Sequence, residues 1–272
     1  MPLPQLPTKY GSPAVFEPID HLDYFRGMGM APDGPPPKGV IFCYQRSLLR
    51  HILAEEGATP VPCVVGRLYP LPSTGGAVAV AAEFGIGAPA AAMLIELLIA
   101  MGVRRFVSIG TAGGIDPRLK IGDLTLCTEA YRDEGVSHHY LEDQSPTVAP
   151  DRALSAAFAA ALDGAGASAM HGPTWTTDAA FRETRAEIAH YQERGVLSVE
   201  MEAAALFAIC AVRGAAIAGG FVISDVLAEP VWNPQFRAEA TAAGLVRLFT
   251  AAKAVLYEAF GAAKPPKPNI KL

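Results

Sequence analysis

Three carboxylates and a thioether lie close together in the second half of the chain. The stretch Val199-Glu200-Met201-Glu202 leads into an apolar segment of helical character, and the next predicted strand ends in Ser224-Asp225. A glutamate at the start of a helix can accept hydrogen bonds from both hydroxyls of a vicinal diol such as that of ribose, while a methionine covers the apolar face of the sugar. Asp225 leaves the carboxyl end of a buried strand, where ligands of α/β proteins usually bind. The alternative interpretation is structural: Glu200 and Glu202 stabilise the first helical turn, and Asp225 caps the next element.

Two glycine-rich segments follow predicted strands. Gly85-Ile86-Gly87-Ala88-Pro89-Ala90 joins a strand to a helix, and Gly110-Thr111-Ala112-Gly113-Gly114 directly follows another strand. Glycines let the backbone approach a ligand closely, and a helix start offers unpaired N–H groups to an anion. The first segment fits the loose dinucleotide fingerprint GxGxxA, but the next strand lacks the terminal acid that would hold a ribose. The second segment is either an anion or sugar site that includes the Thr111 hydroxyl, or a tight turn whose glycines have positive φ.

A third segment, Tyr131 to Tyr140, is dense in groups that form hydrogen bonds. Adjacent His138 and His139 point in different directions in either regular structure, so they do not predict a shared metal site, and we expect no metal. The segment is either a loop that fixes its own backbone or the border of a pocket, by way of Arg132 or His138.

Composition excludes several classes of protein. At 272 residues and 51% hydrophobic, the chain can bury the core of one large α/β domain. Charged residues are only 18%, and the net charge of −5 has no basic block beside it, so we expect no nucleic-acid partner. The four cysteines have no metal-binding spacing, which indicates reduced thiols in a cytosolic protein. Neither a signal peptide nor a membrane span is predicted, and we expect a cytoplasmic protein.

Apolar segments alternate between strand-like and helix-like spacing. This alternation predicts an α/β fold with a central sheet covered by helices on both faces. The predicted strands are Val40–Cys43, Val61–Val65, Ala77–Phe84, Arg105–Ile109, Leu124–Thr128 and Ala216–Ile223. The predicted helices are Pro89–Met101, Asp151–Leu162, Thr184–Arg194, Ala203–Val212 and Gln235–Phe260.

The two ends of the chain differ in composition from the middle. Residues 1–38 are rich in Pro and Gly, which predicts an irregular N-terminal arm that packs on a neighbouring subunit. Residues 39–262 hold the alternating segments and form the predicted folded domain. Residues 263–272 contain three prolines and three lysines, which predicts a flexible tail.

These motifs together resemble the nucleoside phosphorylase and nucleosidase superfamily, in particular uridine phosphorylase and the hexameric purine nucleoside phosphorylases. The resemblance covers about residues 39 to 260 and implies a three-layer α/β/α fold with a mixed, distorted central sheet. It also implies a homo-oligomer, either a dimer or a trimer of dimers. The segments that carry it, in the expected order, are Gly85–Pro89, Ile109–Gly114, Gly122-Asp123, Arg132–Gly135, Val199–Glu202 and Ile223–Asp225.

The resemblance implies roles for residues on the sugar side of a nucleoside site. Glu202 would bind the ribose diol and Met201 would pack against the sugar. Glu200 and Gly87 would lie beside them in the substrate site.

On the base side, the resemblance makes Asp225 the acid that protonates or hydrogen-bonds a purine at N7, assisted by Arg237. Phe181 would be an aromatic platform for the base, with Arg182 next to it, although a core position suits Phe181 equally. A purine is favoured over a pyrimidine because of Asp225, and because no Gln and Arg clamp for uracil is found around Phe181 and Arg182.

The phosphate site departs from the pattern of the family. Phosphorylases usually carry an Arg immediately before the Ile-Gly-Thr turn, where this chain has Ser108, and a Gly-Asp-Pro-x-Arg loop where it has Cys43-Tyr44-Gln45-Arg46. Losing a bidentate Arg–phosphate contact weakens anion binding. The residues that remain at or near the family's phosphate-binding positions, and from which we expect phosphate contacts, are Arg46, Arg67, Ser108 and Thr111.

The activity that the resemblance implies is cleavage of the N-glycosidic bond of a nucleoside. Phosphorolysis would give free base and (deoxy)ribose 1-phosphate, with inorganic phosphate as co-substrate and no cofactor. A nucleosidase that uses water, of the methylthioadenosine/adenosylhomocysteine type, and a nucleoside-binding protein without turnover are the two alternatives.

Overall fold

A computed structural model describes residues 4–32, 34–229 and 231–258. Within these residues the helices are α1 (Pro18–Arg26), α2 (Arg46–Glu56), α3 (Ala88–Ala100), α4 (Arg152–Gly164), α5 (Arg185–Gln192), α6 (Ala203–Arg213) and α7 (Glu239–Glu258). The strands are β1 (Gly39–Cys43), β2 (Val61–Pro62), β3 (Arg67–Pro70), β4 (Val78–Ala82), β5 (Arg105–Gly114), β6 (Leu124–Asp133), β7 (Thr147–Val148), β8 (Ala169–Thr177), β9 (Ser198–Glu200) and β10 (Ala216–Val226).

The strands form one mixed sheet. Their order is β10-β6-β8-β9-β5-β1-β4-β3-β2, with β7 beside β6. Because β10 also pairs with β5, the strands β10, β6, β8, β9 and β5 close into a ring at one end of the sheet. The open part of the sheet continues from β5 through β1 and β4. This arrangement confirms the predicted mixed and distorted central sheet.

Helices cover both faces of the sheet. Successive residues of β1 point to opposite faces, and Ile41 and Phe42 belong to different apolar clusters. The cluster of Ile41 includes side chains of α2, α4 and α7, and the cluster of Phe42 includes side chains of α3 and α6. The predicted three-layer α/β/α architecture is therefore confirmed.

Helix α7 is long and apolar enough to cross a membrane, but half of that stretch is buried inside the protein. It packs against α4, β5 and β10, and Leu245, Leu248 and Leu256 are buried there. These contacts are those of a core helix. It begins at Glu239, four residues after the predicted start at Gln235.

Of the two alternatives for Gly110–Gly114, the tight turn is wrong, and the predicted strand Arg105–Ile109 continues through this segment. Gly110–Gly114 is the second half of β5 and pairs with β10, and none of its three glycines has positive φ. These glycines are needed for close packing. A Cβ at Gly113 would lie 2.9 Å from Leu227 Cδ1 and 3.1 Å from Val199 Cγ1.

The N-terminal arm is more regular than its composition predicts. Helix α1 begins with a capping box between Glu17 and Asp20, and Leu22 packs in an apolar cluster with Leu97 of α3. Arg213 of α6 also forms an ion pair with Glu17 at 3.2 Å. The arm thus packs on its own chain, and its contact with a neighbouring subunit stays a prediction. The predicted tail, residues 263–272, lies outside the described residues.

Candidate active site

Four strands end at one edge of the sheet. Because β1 is parallel to β4 and β5, and β5 is parallel to β10, their carboxyl ends lie side by side. Tyr44 follows β1, Glu83 follows β4, Thr111 lies in the second half of β5, and Asp225 lies near the end of β10. This edge is the usual ligand-binding side of an α/β sheet.

Glu202 connects the starts of two helices. It immediately precedes α6, and its Oε1 accepts a hydrogen bond at 2.5 Å from the backbone N–H of Gly87, the residue before α3. Gly87 has a φ of 93°, which favours glycine. The positive end of α3, predicted to receive an anion, thus faces the Glu202 carboxylate of the protein itself. Two residues predicted for the sugar side are brought together by this contact.

Burial sets the electrostatic state of Glu202. The side chain is 7% exposed, and this burial raises its pKa above the ordinary glutamate value. Hydrogen bonds from backbone N–H groups act in the opposite direction, and the charge of nearby Asp178 raises the pKa further. A buried carboxylate with an N–H donor on one side can still accept hydrogen bonds from a diol on the other.

Glu200 has a structural role in addition to any contact with substrate. Its Oε2 accepts hydrogen bonds from the backbone N–H groups of Glu202 at 2.8 Å and Ala203 at 2.7 Å, and its Oε1 accepts one from the Thr176 hydroxyl at 2.5 Å. Glu200 therefore caps the start of α6 and positions Glu202. Met201, between the two glutamates, is partly buried.

A cleft of about 420 Å³ opens between the ends of β1 and β4. Its lining includes Tyr44, Gln45 and Arg46 after β1, and Glu83 and Ile86 after β4. Sequence reasoning did not assign Tyr44 and Gln45 to the site. Their signal was available, since both are polar residues that directly follow a buried strand.

A hydrogen-bonded network of neutral side chains lies where the family's arginine contacts were expected. The Tyr44 hydroxyl is 3.0 Å from the Ser108 hydroxyl, and Gln45 Nε2 donates to the Thr111 hydroxyl at 3.1 Å. Ser108 is buried. Gln45 Oε1 is also buried and has no hydrogen-bond partner within the described residues. Burial, and next the charge of Glu202, raise the pKa of Tyr44 well above its ordinary value, so its hydroxyl stays protonated.

The two arginines predicted for phosphate differ in their surroundings. Arg46 is exposed and lines the cleft at the start of α2. Arg67, in β3, forms an ion pair with Glu83 at 3.3 Å. Glu83 also accepts a hydrogen bond from Tyr69 at 2.7 Å and has a φ of 60°, a left-handed conformation that is unfavourable for a residue with a side chain. Backbone strain of this kind clusters at functional sites.

Asp225 is an acceptor at both carboxylate oxygens. Oδ1 accepts from the Ser224 hydroxyl at 2.8 Å, and Oδ2 accepts from Trp232 Nε1 at 2.8 Å. A β-bulge between Ile223 and Asp225 shifts the register with β5 at this point. Arg237 is exposed and makes no hydrogen bond or ion pair with Asp225 within the described part of the chain. Its assistance to Asp225 stays a prediction.

Phe181 and Arg182 lie in a short 3₁₀ helix, Ala180–Arg182, and both are exposed. Phe181 is therefore not a core residue, and its role as a platform for the base stays a prediction. Asp178, just before this helix, accepts a hydrogen bond from the backbone N–H of Gly135 at 2.8 Å. Besides burial, the charge of Asp178 raises the pKa of Glu202, and the charge of Asp225 raises the pKa of Glu183.

Residues 52–256 match the phosphorylase superfamily. The chain belongs to this superfamily.

The chain is also similar in sequence to individual nucleoside phosphorylases. The chain is 30% identical over 161 residues to a uridine phosphorylase of Salmonella typhimurium (53% of this chain and 63% of that protein). It is 34% identical over 131 residues to a guanosine phosphorylase of Halorubrum lacusprofundi (48% and 54%). It is 31% identical over 146 residues to a DeoD-type purine nucleoside phosphorylase of Clostridium perfringens (53% and 61%). The matches span less than two thirds of the length of these relatives.

The residues that match the superfamily include most, but not all, of the predicted site residues. Gly87, Thr111, Glu202 and Asp225 lie within the matched residues 52–256, whereas Arg46 precedes them. The cleft residues Tyr44 to Arg46 thus lie outside the part of the chain that matches the superfamily.

The polar segment Tyr131–Tyr140, which begins in β6, belongs to the fold. The Arg132 side chain is fully buried, and it donates to Ser137 Oγ at 3.1 Å, to the carbonyl oxygen of Ser145 at 2.9 Å and to Asp143 Oδ1 at 3.0 Å. Of the two alternatives left open by the sequence, the structure supports a loop whose backbone is fixed by its own side chains.

Proposed function

We propose that this protein cleaves the N-glycosidic bond of nucleosides by phosphorolysis, releasing free base and (deoxy)ribose 1-phosphate. In enzyme terms it would be a pentosyltransferase. The observation that carries the proposal is the placement of buried Glu202 against Gly87 at the strand edge that also holds Asp225, within a chain of the phosphorylase superfamily. The three curated relatives named above, a uridine, a guanosine and a purine nucleoside phosphorylase, support the same reaction.

The chemistry of the reaction matches the groups at this edge. Breaking the ribosyl N–C bond builds positive charge on the sugar and negative charge on the departing base. Glu202 would hold the diol, with Met201 against the sugar, and a carboxylate beside the developing cation also stabilises it. Asp225 would contact the base, for which we propose a purine.

Inorganic phosphate is the proposed co-substrate, and no cofactor is required for this chemistry. Arg46 and the Thr111 hydroxyl would contact phosphate in the cleft after β1. Arg67 would contribute only in part, because Glu83 neutralises it.

A second candidate is hydrolysis by a water molecule. It is favoured by one specific observation, namely that neutral Ser108 and Tyr44 form a closed pair at the position where an arginine would bind phosphate. A water nucleophile needs no cationic site.

A nucleoside panel incubated with and without phosphate separates the possibilities. Free base and ribose 1-phosphate are measured after each incubation. Release of base that depends on phosphate supports phosphorolysis, and release that does not depend on it supports hydrolysis. Binding without release would contradict both and indicate a carrier or sensor.

Replacing Arg46 by methionine should raise the KM for phosphate by about 10- to 100-fold, since a charge-assisted hydrogen bond is worth about 1.5–3 kcal/mol. The KM for nucleoside should change little. Initial rates at varied phosphate concentration measure this effect. The matched control is Arg50→Met, one turn further along α2 and also exposed. Equal effects of the two substitutions would remove Arg46 from the phosphate site.

Replacing Asp225 by asparagine should lower kcat by about 10²-fold, with little effect on nucleoside binding. Asparagine retains one oxygen for Trp232 or Ser224 but lacks the charge that faces the base. Steady-state kinetics and equilibrium binding of the same nucleoside check the two parts. An unchanged kcat would remove Asp225 from the mechanism.

The proposed assembly is a homo-oligomer in the cytoplasm, a dimer or a trimer of dimers. Large apolar side chains on the surface of the arm and of α3 support association with another copy, since Phe16, Tyr24, Met28 and Met93 are all more than half exposed.

A further inference from the structure

The loop between β10 and α7 folds back onto the end of β10. Near its start, the backbone N–H of Leu227 donates to the carbonyl oxygen of Gly114 at 2.8 Å. Further along, the backbone N–H of Gln235 donates to the carbonyl oxygen of Ser224 at 2.8 Å. Trp232 lies in the chain between these two hydrogen bonds, which hold its part of the loop at the end of the strand.

Trp232 contacts the carboxyl group that we propose for the base side of the site. Its Nε1 donates to Asp225 Oδ2 at 2.8 Å, and the Ser224 hydroxyl donates to Asp225 Oδ1, also at 2.8 Å. Asp225 is 7% exposed and Trp232 is 54% exposed. The indole therefore reaches from the surface of the protein to a buried carboxyl group.

The two donors set the hydrogen-bonding role of Asp225. An indole N–H can only donate, so Oδ2 acts as an acceptor. The Ser224 hydroxyl donates to Oδ1, so this oxygen is an acceptor too. A carboxylate has about two lone-pair positions on each oxygen, which leaves one on each for a ligand. A ligand at Asp225 must therefore supply a hydrogen-bond donor.

The substituent at C6 decides whether a purine nucleoside supplies such a donor. On the edge of the base that carries N7, adenosine presents N7 as an acceptor and its 6-amino group as a donor. Guanosine and inosine present N7 and the 6-carbonyl oxygen there, and both of these atoms are acceptors. A carboxylate that accepts at both oxygens pairs with the first pattern and is left unpaired against the second.

This inference rests on the proposed nucleoside cleavage, in which Asp225 contacts the base. We propose that Trp232 determines specificity: its N–H keeps Asp225 a hydrogen-bond acceptor, and the site therefore selects 6-aminopurine nucleosides over 6-oxopurine nucleosides. Trp232 acts through Asp225 and is a positioning residue.

Three nucleosides with different groups at C6 measure the selectivity of the wild-type protein. Adenosine has the amino donor, purine riboside has a hydrogen atom, and inosine has the carbonyl acceptor. We expect kcat/KM to fall in this order, with adenosine about 10- to 100-fold above inosine, the size of a hydrogen bond to a charged group. Equal values for adenosine and inosine, or a preference for inosine, would overturn the inference.

Trp232→Phe tests whether the indole N–H causes the selectivity. Phenylalanine keeps an aromatic ring but cannot donate, so Oδ2 becomes free to hold a proton and to donate it to a carbonyl oxygen. We expect kcat/KM to rise for inosine and to fall for adenosine, so that the ratio of adenosine to inosine decreases about tenfold. The different intrinsic reactivity of the two substrates cancels from this change. A purely structural role of Trp232 would lower both values by one factor and leave the ratio unchanged.

The matched control is Trp175→Phe, the same substitution at the other tryptophan of the chain. Trp175 Nε1 donates to Asp133 Oδ2 at 2.9 Å, so a similar hydrogen bond to a different carboxylate is removed. Trp175 is buried and stacks on Tyr191, so this variant should lose stability while its ratio stays that of wild type. Melting curves verify that both variants are folded at the assay temperature. An equal decrease of the ratio in both variants would contradict the role of Trp232.

A second control changes the surroundings of Trp232 without removing its hydrogen bond. The ring of Phe236 lies 6.3 Å from that of Trp232, and Phe236 is half-exposed, so Phe236→Leu should fold. This variant retains the N–H donor to Asp225, and we expect the wild-type ratio. A tenfold decrease here would show that packing of the loop, and not the indole N–H, sets the selectivity.

The outcomes separate this inference from the proposed function. Cleavage of adenosine and inosine with equal efficiency would remove the selectivity and leave the proposed function standing. A preference for adenosine that Trp232→Phe does not change would overturn the role of Trp232 alone. A wild-type protein that releases base from no nucleoside, with or without phosphate, would overturn the proposed function and this inference with it.

Discussion

Alanine at position 202 is expected to reduce kcat/KM for a ribonucleoside by about 10²- to 10⁴-fold. The carboxylate would accept one hydrogen bond from each hydroxyl of the diol, and a hydrogen bond to a charged group is worth about 1.5–3 kcal/mol. Both ground-state binding and turnover should suffer, because the same carboxylate also faces the positive charge that develops on the sugar. Steady-state kinetics and direct binding of the nucleoside measure the two losses.

The structure also predicts how stability responds to that change. Glu202→Ala leaves the backbone N–H of Gly87 without its acceptor, which costs about 1–3 kcal/mol. This loss is partly offset because burial already disfavours the charged carboxylate, as the raised pKa of Glu202 indicates. The variant should therefore fold, and a melting curve verifies it.

Glu202→Gln is the matched control for the sugar contact. It keeps an oxygen that can accept from Gly87 or from one hydroxyl, and we expect a loss of about tenfold, between wild type and alanine. A 2′-deoxyribonucleoside lacks one of the two hydroxyls and should be less sensitive to either substitution. A folded Glu202→Ala variant that binds ribonucleosides normally would remove Glu202 from the sugar site.

Glu200→Ala should have the second-largest effect, and its effect should be on stability. Glu200 accepts hydrogen bonds from the Thr176 hydroxyl and from the backbone N–H groups of Glu202 and Ala203. Removal of the carboxyl group leaves three buried donors unpaired, each at about 1–3 kcal/mol, although burial and the charge of Glu202, which raise the pKa of Glu200 to about 8, offset part of this loss. With partial access of water, we expect a loss of about 3–5 kcal/mol, or about 10 °C in melting temperature.

Glutamine at position 200 separates stability from substrate binding. Its amide oxygen can still accept from the start of α6, so Glu200→Gln should lose less stability than alanine and retain most of the activity. Thermal unfolding and the KM for nucleoside are measured on both variants. If Glu200→Ala kept its melting temperature while KM rose strongly, Glu200 would be a substrate ligand and its capping role would be minor.

Local signals in the sequence were enough for much of the fold around the site. The apolar run of α6, the buried strand β10 and the glycines before α3 can each be recognised within about ten residues of sequence. In the structure, α3, α6 and β10 lie close to their predicted bounds. Asp151, the first residue of a predicted helix, caps α4 and accepts a hydrogen bond from the Leu154 N–H at 2.7 Å.

Elements that depend on distant partners were not predicted. The second half of β5 contains three glycines in five residues, and its strand conformation depends on pairing with β10 more than 100 residues later. Strand β8 contains Gly172 and Pro173, which locally favour a turn. It is a strand because β6 and β9 pair with it on either side.

By itself, the sequence determined the superfamily type of the fold and the carboxylates of the site, because residue types and strand or helix periodicity are local properties. Only the tertiary structure decided which groups each of those carboxylates contacts. Glu200 and Glu202 have the same chemistry and are two residues apart, yet one caps α6 and the other reaches Gly87 of a different helix. The pairing of Asp225 with Trp232 also depends on how the loop after β10 folds back onto the end of that strand. A local sequence pattern specifies which side of one helix or strand a side chain lies on. The distances between side chains of different elements follow from the packing of the whole sheet.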